Sequence, residues 1–296
     1  MISVQEAFKK FRSRLELAPK EQKDASRRQK EIRSVIDKAF AVDHDFLTGS
    51  YARSTKTKPL KDVDIFCVLA DKERHYRKKP PSELLSAFEK VLAEKYGEEN
   101  VSQQRRSVTV SFGVKAVDDE TDGQVMSFDV IPAFVKDDHY EIPDTETSSG
   151  WTETNPRVHA EKAVAAQEDF AGEWKGLVRM MKKWNNQQGK TIKPSFLIEV
   201  MALKVLNPPF GGDYRREMQA FFATLADRIH EDWSDPAGLG PPVSDLMDQK
   251  KRDVAKAALL KAERQAAEAI LLERQGNVGG SLKAWRALFG PLFPLS

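Results

Sequence analysis

Apolar positions recur first at helical and then at strand spacing, and each change of period marks an element. Val4, Phe8, Phe11 and Leu15 return every three or four residues until Pro19, which predicts a short amphipathic helix ended by the proline. Over Lys20–Phe40 a charged helix carries one narrow stripe, Ile32, Val35, Ile36 and Ala39. Val63, Ile65, Phe66, Cys67 and Val68 then form a compact apolar run of strand type. Pro80-Pro81-Ser82 opens a helix with Leu84, Leu85, Phe88, Val91 and Leu92 on one side, closing near Gly97. Ser107–Val114 alternates with Val108, Val110, Phe112 and Val114 on one face, Asp118–Gly123 is a polar turn, and Val125–Pro132 returns as a strand. The Thr-, Ser- and Gly-rich stretch Asp144–Trp151 reads as a linker leading into a helix. Beyond it the pattern is helical to the end: a stripe of Phe170, Trp174, Leu177, Val178 and Met181, a mostly apolar Phe196–Leu206, then Arg215–His230, Asp245–Gln275 and Leu282–Phe289. The expected architecture is α+β, with an αβ lobe over residues 1–150 and a helical lobe over 151–296.

Composition narrows the picture. At 296 residues the chain is long enough for two lobes with a sizeable core. A net charge of +2 gives no global attraction for polyanions. The lone cysteine, Cys67, excludes a disulfide framework and fits a reducing cytosol. The five histidines are scattered, without zinc-site spacing. No apolar stretch approaches the roughly 18 residues of a membrane span, and the N-terminus lacks a signal peptide's apolar core. A cytoplasmic protein with no membrane partner is expected.

Candidate chemistry concentrates in Leu47–Leu69. Asp62 and Asp64 are two residues apart on a strand, so both carboxylates point to one face. Carboxylates held that close repel unless a cation lies between them, and hard divalent ions such as Mg²⁺ take oxygen ligands while leaving positions open for phosphates. Upstream, Gly49-Ser50 opens a helix whose free N–H groups favour an anion. Arg53, Lys56, Lys58 and Lys61 crowd the loop between. Phosphate and metal sites facing each other imply nucleotidyl transfer.

This stretch resembles the nucleotidyltransferase superfamily of DNA polymerase β, whose signature is a Gly-Ser turn followed by an Asp-x-Asp strand and a third acid on a later strand. Asp129, within Ser127-Phe128-Asp129-Val130-Ile131-Pro132, fits that third acid. The second lobe resembles a subgroup: oligoadenylate synthetases, cyclic GMP–AMP synthase and the bacterial cGAS/DncV-like nucleotidyltransferases of antiphage signalling (CBASS). The residues that carry this are Arg179-Met180-Met181-Lys182-Lys183-Trp184 and Pro194-Ser195-Phe196-Leu197-Ile198-Glu199. The resemblance implies a polymerase β-like lobe with a mixed sheet and a helical lobe completing a nucleotide cleft. It implies Asp62, Asp64 and Asp129 as catalytic ligands of two Mg²⁺ or Mn²⁺ ions. Gly49, Ser50, Arg53, Lys182, Ser195 and Phe196 would bind nucleotide, with Lys183 a rival to Lys182 and Phe196 a base platform. The implied substrates are ATP and other nucleoside triphosphates, and the product a cyclic di- or trinucleotide. The implied partner is a CBASS regulatory or activating protein, while long nucleic acid is disfavoured by the modest basic run Arg27-Arg28-Gln29-Lys30. RNA 3′-end addition, of the CCA-adding or poly(A) kind, is the second reading, and a degenerate nucleotide-binding module the third.

Overall fold

The protein is described from a computed structural model covering residues 2–17, 19–58, 62–113 and 127–296. Lys61, Val114 and the expected turn at Asp118–Gly123 lie outside the described residues.

The chain opens with α1 (Val4–Arg14), started by a reciprocal capping box between Ser3 and Glu6, and α2 (Pro19–Ile36). Then come β1 (Val42–Thr48), the single turn α3 (Gly49–Ala52), β2 (Asp62–Leu69) and α4 (Pro81–Tyr96). Five strands follow: β3 (Val101–Gln103), β4 (Val108–Ser111), β5 (Ser127–Lys136), β6 (His139–Pro143) and β7 (Trp151–Thr154). Six helices complete the fold: α5 (Pro156–Asp169), α6 (Trp174–Gln187), α7 (Ser195–Val205), α8 (Tyr214–Arg228), α9 (Gln249–Arg274) and α10 (Val278–Phe289).

The sheet runs β1-β2-β5-β4-β3, and the far end of β5 pairs β6, which pairs β7. Only the β2–β5 pair is parallel among the described strands, so the sheet is mixed as expected. Period-two alternation separates its faces. Val63, Ile65, Cys67, Phe128, Val130, Val108 and Val110 turn to α2 and α4, where they meet Ile32, Ile36, Leu84, Leu85, Phe88 and Leu92. The opposite face carries the acids, and farther along it Phe66, Val68 and Ile131 pack with Phe46 and Tyr140.

The helices after residue 156 share a second core. Into it go Val4, Phe8, Phe11 and Leu15, so α1 lies in space against α6, α8 and α10 rather than on the sheet. Phe8 meets the rings of Tyr214, Trp285, Phe289 and Phe293 at centroid distances of 5.9, 4.9, 5.9 and 5.2 Å. A second departure is β7: Trp151–Thr154 does not lead straight from linker to helix but adds a strand to β6, with Trp151 edge-on to Phe134 at 5.8 Å. The basic run on α2 is neutralised locally, because Arg27 pairs with Asp24 and Glu31, and Arg28 with Asp24. No helix among the described residues is long and apolar enough to cross a membrane.

Candidate active site

The sheet register assembles one row of polar side chains. Thr48 on β1 stands opposite Asp64 on β2, Asp64 opposite Asp129 on β5, and Asp129 opposite Thr109 on β4. Asp62, two residues before Asp64, shares that face. The chain leaves β1 at Gly49, whose φ of +63° suits glycine and whose absent side chain leaves room for the acid. A Cβ at Gly49 would sit 1.7 Å from Asp64 Oδ2, so the Gly49-Ser50 turn is packed directly on the carboxylate. The following loop folds back, Thr55 N and Lys56 N each donating to Ser50 O at 3.0 Å.

Charge is unevenly distributed along the row. Burial, reinforced by Asp62 and Asp129, pushes the Asp64 carboxyl up to about 6 against the pull of Lys56 and Arg53. Burial likewise raises Asp129, opposed by the hydrogen bond that Thr109 Oγ1 donates to its Oδ1. Asp62 behaves oppositely: burial would raise it, but Lys56, with its ammonium 2.8 Å from Oδ1, and the more distant Lys190 and Lys182 hold it below the usual carboxylate range. Asp62 faces Lys56, and the acids do not stand as a closed ligand cluster among the described residues. The donor set nevertheless suits a hard divalent ion: oxygens only, mutually repelling, with the Asp64 carboxyl raised by burial and its neighbouring acids.

Opposite the acids, the second lobe brings its own charges. Arg53, following α3, reaches into α7 and donates Nε and Nη2 to Glu199 at 2.8 and 3.0 Å. Lys182 on α6 donates to the same carboxylate at 2.6 Å. Burial would raise Glu199, but the two cations hold it down at about 2. Lys182 itself is lowered by burial, with Glu199 opposing. Lys183 is buried as well. Ser195 is the first residue of α7 rather than its cap, a position taken by Pro194. Phe196 lies under the Arg53 guanidinium at 4.6 Å and beside the His159 ring at 4.9 Å. Of the basic loop, Lys58 is 3.7 Å from the buried Glu21.

Two cavities open on this arrangement. The larger, about 410 Å³, is lined by Gly49, Ser50, Arg53, Asp62, Asp64, Ser195 and Phe196, together with Arg105, Arg106, Asp235 and the 239–243 loop. The smaller, about 380 Å³, is lined by Ser50, Lys56, Asp62, Lys182, Lys190, Lys193 and Ser195. Asp129 lines neither. Sequence reasoning gave no site role to Glu199, Lys190, Lys193, Thr109 or Asp235. Only Glu199 left a signal, as a lone acid on an apolar helix that burial obliges to find partners. At the lobe junction, Asn155 caps α5 by accepting from Val158 N at 3.4 Å.

Residues 2–166 match the family model of the Second Messenger Oligonucleotide or Dinucleotide Synthetase (SMODS) domain. The chain is 28% identical over 274 residues to a cyclic AMP-AMP-AMP synthase of Acinetobacter sp., covering 86% of this chain and 73% of that one. It is 25% identical over 271 residues to a probable cyclic nucleotide synthase of Bacillus cereus (strain VD146), covering 83% and 81%. Among solved structures it is similar to CdnC of E. coli MS115-1, determined with ATP, at a TM-score of 0.72 and 19% identity over 99% of each chain. The complex of CdnC with HORMA-deltaN gives 0.71 and 19% over 98% of each. At that identity the likeness carries the fold, which is the expected polymerase β-like lobe joined to a helical lobe.

Proposed function

The chain belongs to the SMODS family of nucleotidyltransferases, and from that premise we propose that it joins ribonucleoside triphosphates, without a template, into a cyclic di- or trinucleotide. The observation that carries this reading is the Gly49-Ser50 turn packed on Asp64, which brings a phosphate-binding turn to a carboxylate row. Asp62, Asp64 and Asp129 are its proposed catalytic residues and the ligands of two Mg²⁺ or Mn²⁺ ions. When bound, the ions would lower the pKa of the attacking ribose hydroxyl and neutralise charge on the leaving pyrophosphate. Asp129, whose Oδ1 accepts from Thr109 Oγ1, would hold the acceptor-side ion and assist loss of the hydroxyl proton. The freed oxygen attacks the α-phosphorus, and the bond to pyrophosphate breaks. Ser50, the turn amides, Lys56, Lys182, Lys190, Lys193 and Ser195 hold the donor triphosphate, so that placement and charge do most of the work.

Ring closure requires the linear intermediate to return with its own triphosphate as donor. Two cavities that share Ser50, Asp62 and Ser195 support that exchange. The neighbour solved with HORMA-deltaN supports a regulatory or activating protein as partner, and the local neutralisation of Arg27 and Arg28 argues against long nucleic acid. The product would act in the cytoplasm as a second messenger in antiphage defence.

The test is purified protein with Mg²⁺ or Mn²⁺ and four α-³²P-labelled ribonucleotides, without nucleic acid, alone and with a co-encoded partner protein where one exists. Phosphatase-resistant label is expected, and none from Asp62→Asn, which should also remove protection against phage in cells. Extension of an RNA 3′ end, with nothing made from nucleotides alone or with the partner, would overturn the reading in favour of RNA nucleotidyl transfer.

A further inference from the structure

Glu199 is a fully formed acid inside the protein, its side chain 2% exposed. Three charge-assisted hydrogen bonds end on it. Two come from Arg53 as a bidentate fork and one from Lys182. These cations reach it from different parts of the site. Arg53 directly follows the turn that packs on Asp64, and its N–H donates to Gly49 O at 3.3 Å. Lys182 lines the lysine-rich cavity and also reaches Thr55 Oγ1 at 3.5 Å. Arg53 further rests on Phe196, which lines the other cavity. One carboxylate on the helical lobe therefore fixes a cation from each side of the cleft.

We infer that Glu199 is a positioning residue for nucleotidyl transfer: through Arg53 it sets the Gly49-Ser50 turn against Asp64, and through Lys182 it sets the lysine that faces the donor phosphates. This rests on the reading of function given above. The guanidinium fork is the part of the link that holds an angle, since two parallel bonds fix a plane where one would act as a pivot. Without the carboxylate, Arg53 and Lys182 are two buried cations that repel, and both swing away. The consequence is misplacement of groups that touch the triphosphate rather than loss of those groups. Misplacement of about 1 Å costs on the order of a hundredfold in rate, while the cavity and its other lysines still bind nucleotide.

The test is steady-state kinetics of the wild type, Glu199→Gln, Glu199→Asp and Arg53→Lys, each checked for folding by circular dichroism. Glu199→Gln is expected to lower kcat about a hundredfold and leave KM for ATP within about threefold. Glu199→Asp, which keeps the charge, should recover at least about tenfold of that loss. Arg53→Lys keeps the net charge but removes the fork, and should lower kcat alone in the same way. It carries the test if Glu199→Gln does not fold. A folded Glu199→Gln or Arg53→Lys with kcat within about threefold of wild type overturns the proposal, as does a rise in KM with kcat unchanged. Failure of the wild type to join nucleotides, with or without its partner protein, would instead overturn the reading of function.

Discussion

Asp64 is held between opposing demands. The sheet register sets it beside Asp129, the preceding turn closes on it at Gly49, and Asp62 shares its face. The result is a carboxyl raised to about 6, above the value near 3.9 of an unfolded chain. A carboxyl raised in the fold binds its proton more tightly there, so the ionised form destabilises the metal-free protein. That penalty is complete above pH 6 and disappears as the pH falls below about 3.9. Two pK units set its ceiling at about 3 kcal/mol. Asp64→Asn is therefore expected to raise the melting temperature by several degrees in EDTA at pH 7.5, with the gain shrinking towards pH 4. It should abolish catalysis at the same time. Mg²⁺ should raise the melting temperature of the wild type and leave that of the variant nearly unmoved. A less stable Asp64→Asn protein in EDTA at pH 7.5 would show that the acid row is not under repulsion.

Among the elements, α1 has an unexpected address. Its apolar spacing of three and four residues is readable in sequence and predicts the helix, which the Ser3–Glu6 capping box starts. Its partners are not, because nothing in a local pattern says that Phe8 will meet Trp285 and Phe293 from the far end of the chain. Strands β2, β4 and β5 were legible because alternation or a buried apolar run imposes itself on each. Strands β6 and β7 were not, being four or five residues long and partly polar, and formed by pairing rather than by propensity. The site divides the same way. Asp62 and Asp64 are visible from spacing alone, whereas Lys190, Lys193 and the 239–243 loop reach the cleft only through tertiary packing. The placement of α1 has a measurable consequence: Phe8→Ala should cost about 3–5 kcal/mol, as for other buried aromatic truncations. The near-ultraviolet signal of the helical lobe's tryptophans should change with it, and a loss below about 1 kcal/mol in denaturant unfolding would place α1 outside that core.

For the molecule as a whole, the two lobes meet at fixed charges. Arg179 on α6 adds to the junction made by Arg53 and Glu199, donating to Ser54 O and to Glu16 at 2.8 Å each. The cleft so formed opens on two adjoining cavities. Cavities of about 410 and 380 Å³ share Ser50, Asp62 and Ser195 in their linings, each within the range of roughly 300–1,000 Å³ typical of small-molecule sites. Their linings differ in kind. Lys56, Lys182, Lys190 and Lys193 give the smaller one a cationic lining, while the larger one sets Phe196, His159, Ile131 and Pro156 beside Arg53, Arg105 and Arg106. On the proposed function, with the two cavities taking donor and acceptor, the chain should hold two nucleotides at once. Titration calorimetry with Mg²⁺ and an ATP analogue carrying a methylene bridge between the α- and β-phosphates, which cannot be cleaved there, is expected to give two nucleotides per chain. Lys190→Ala with Lys193→Ala removes two of the four lysines from the smaller cavity alone, so it should weaken one class of site and spare the other. A stoichiometry of one at saturation, or equal weakening of both classes, would mean that the cavities are parts of a single nucleotide site and that the acceptor binds elsewhere.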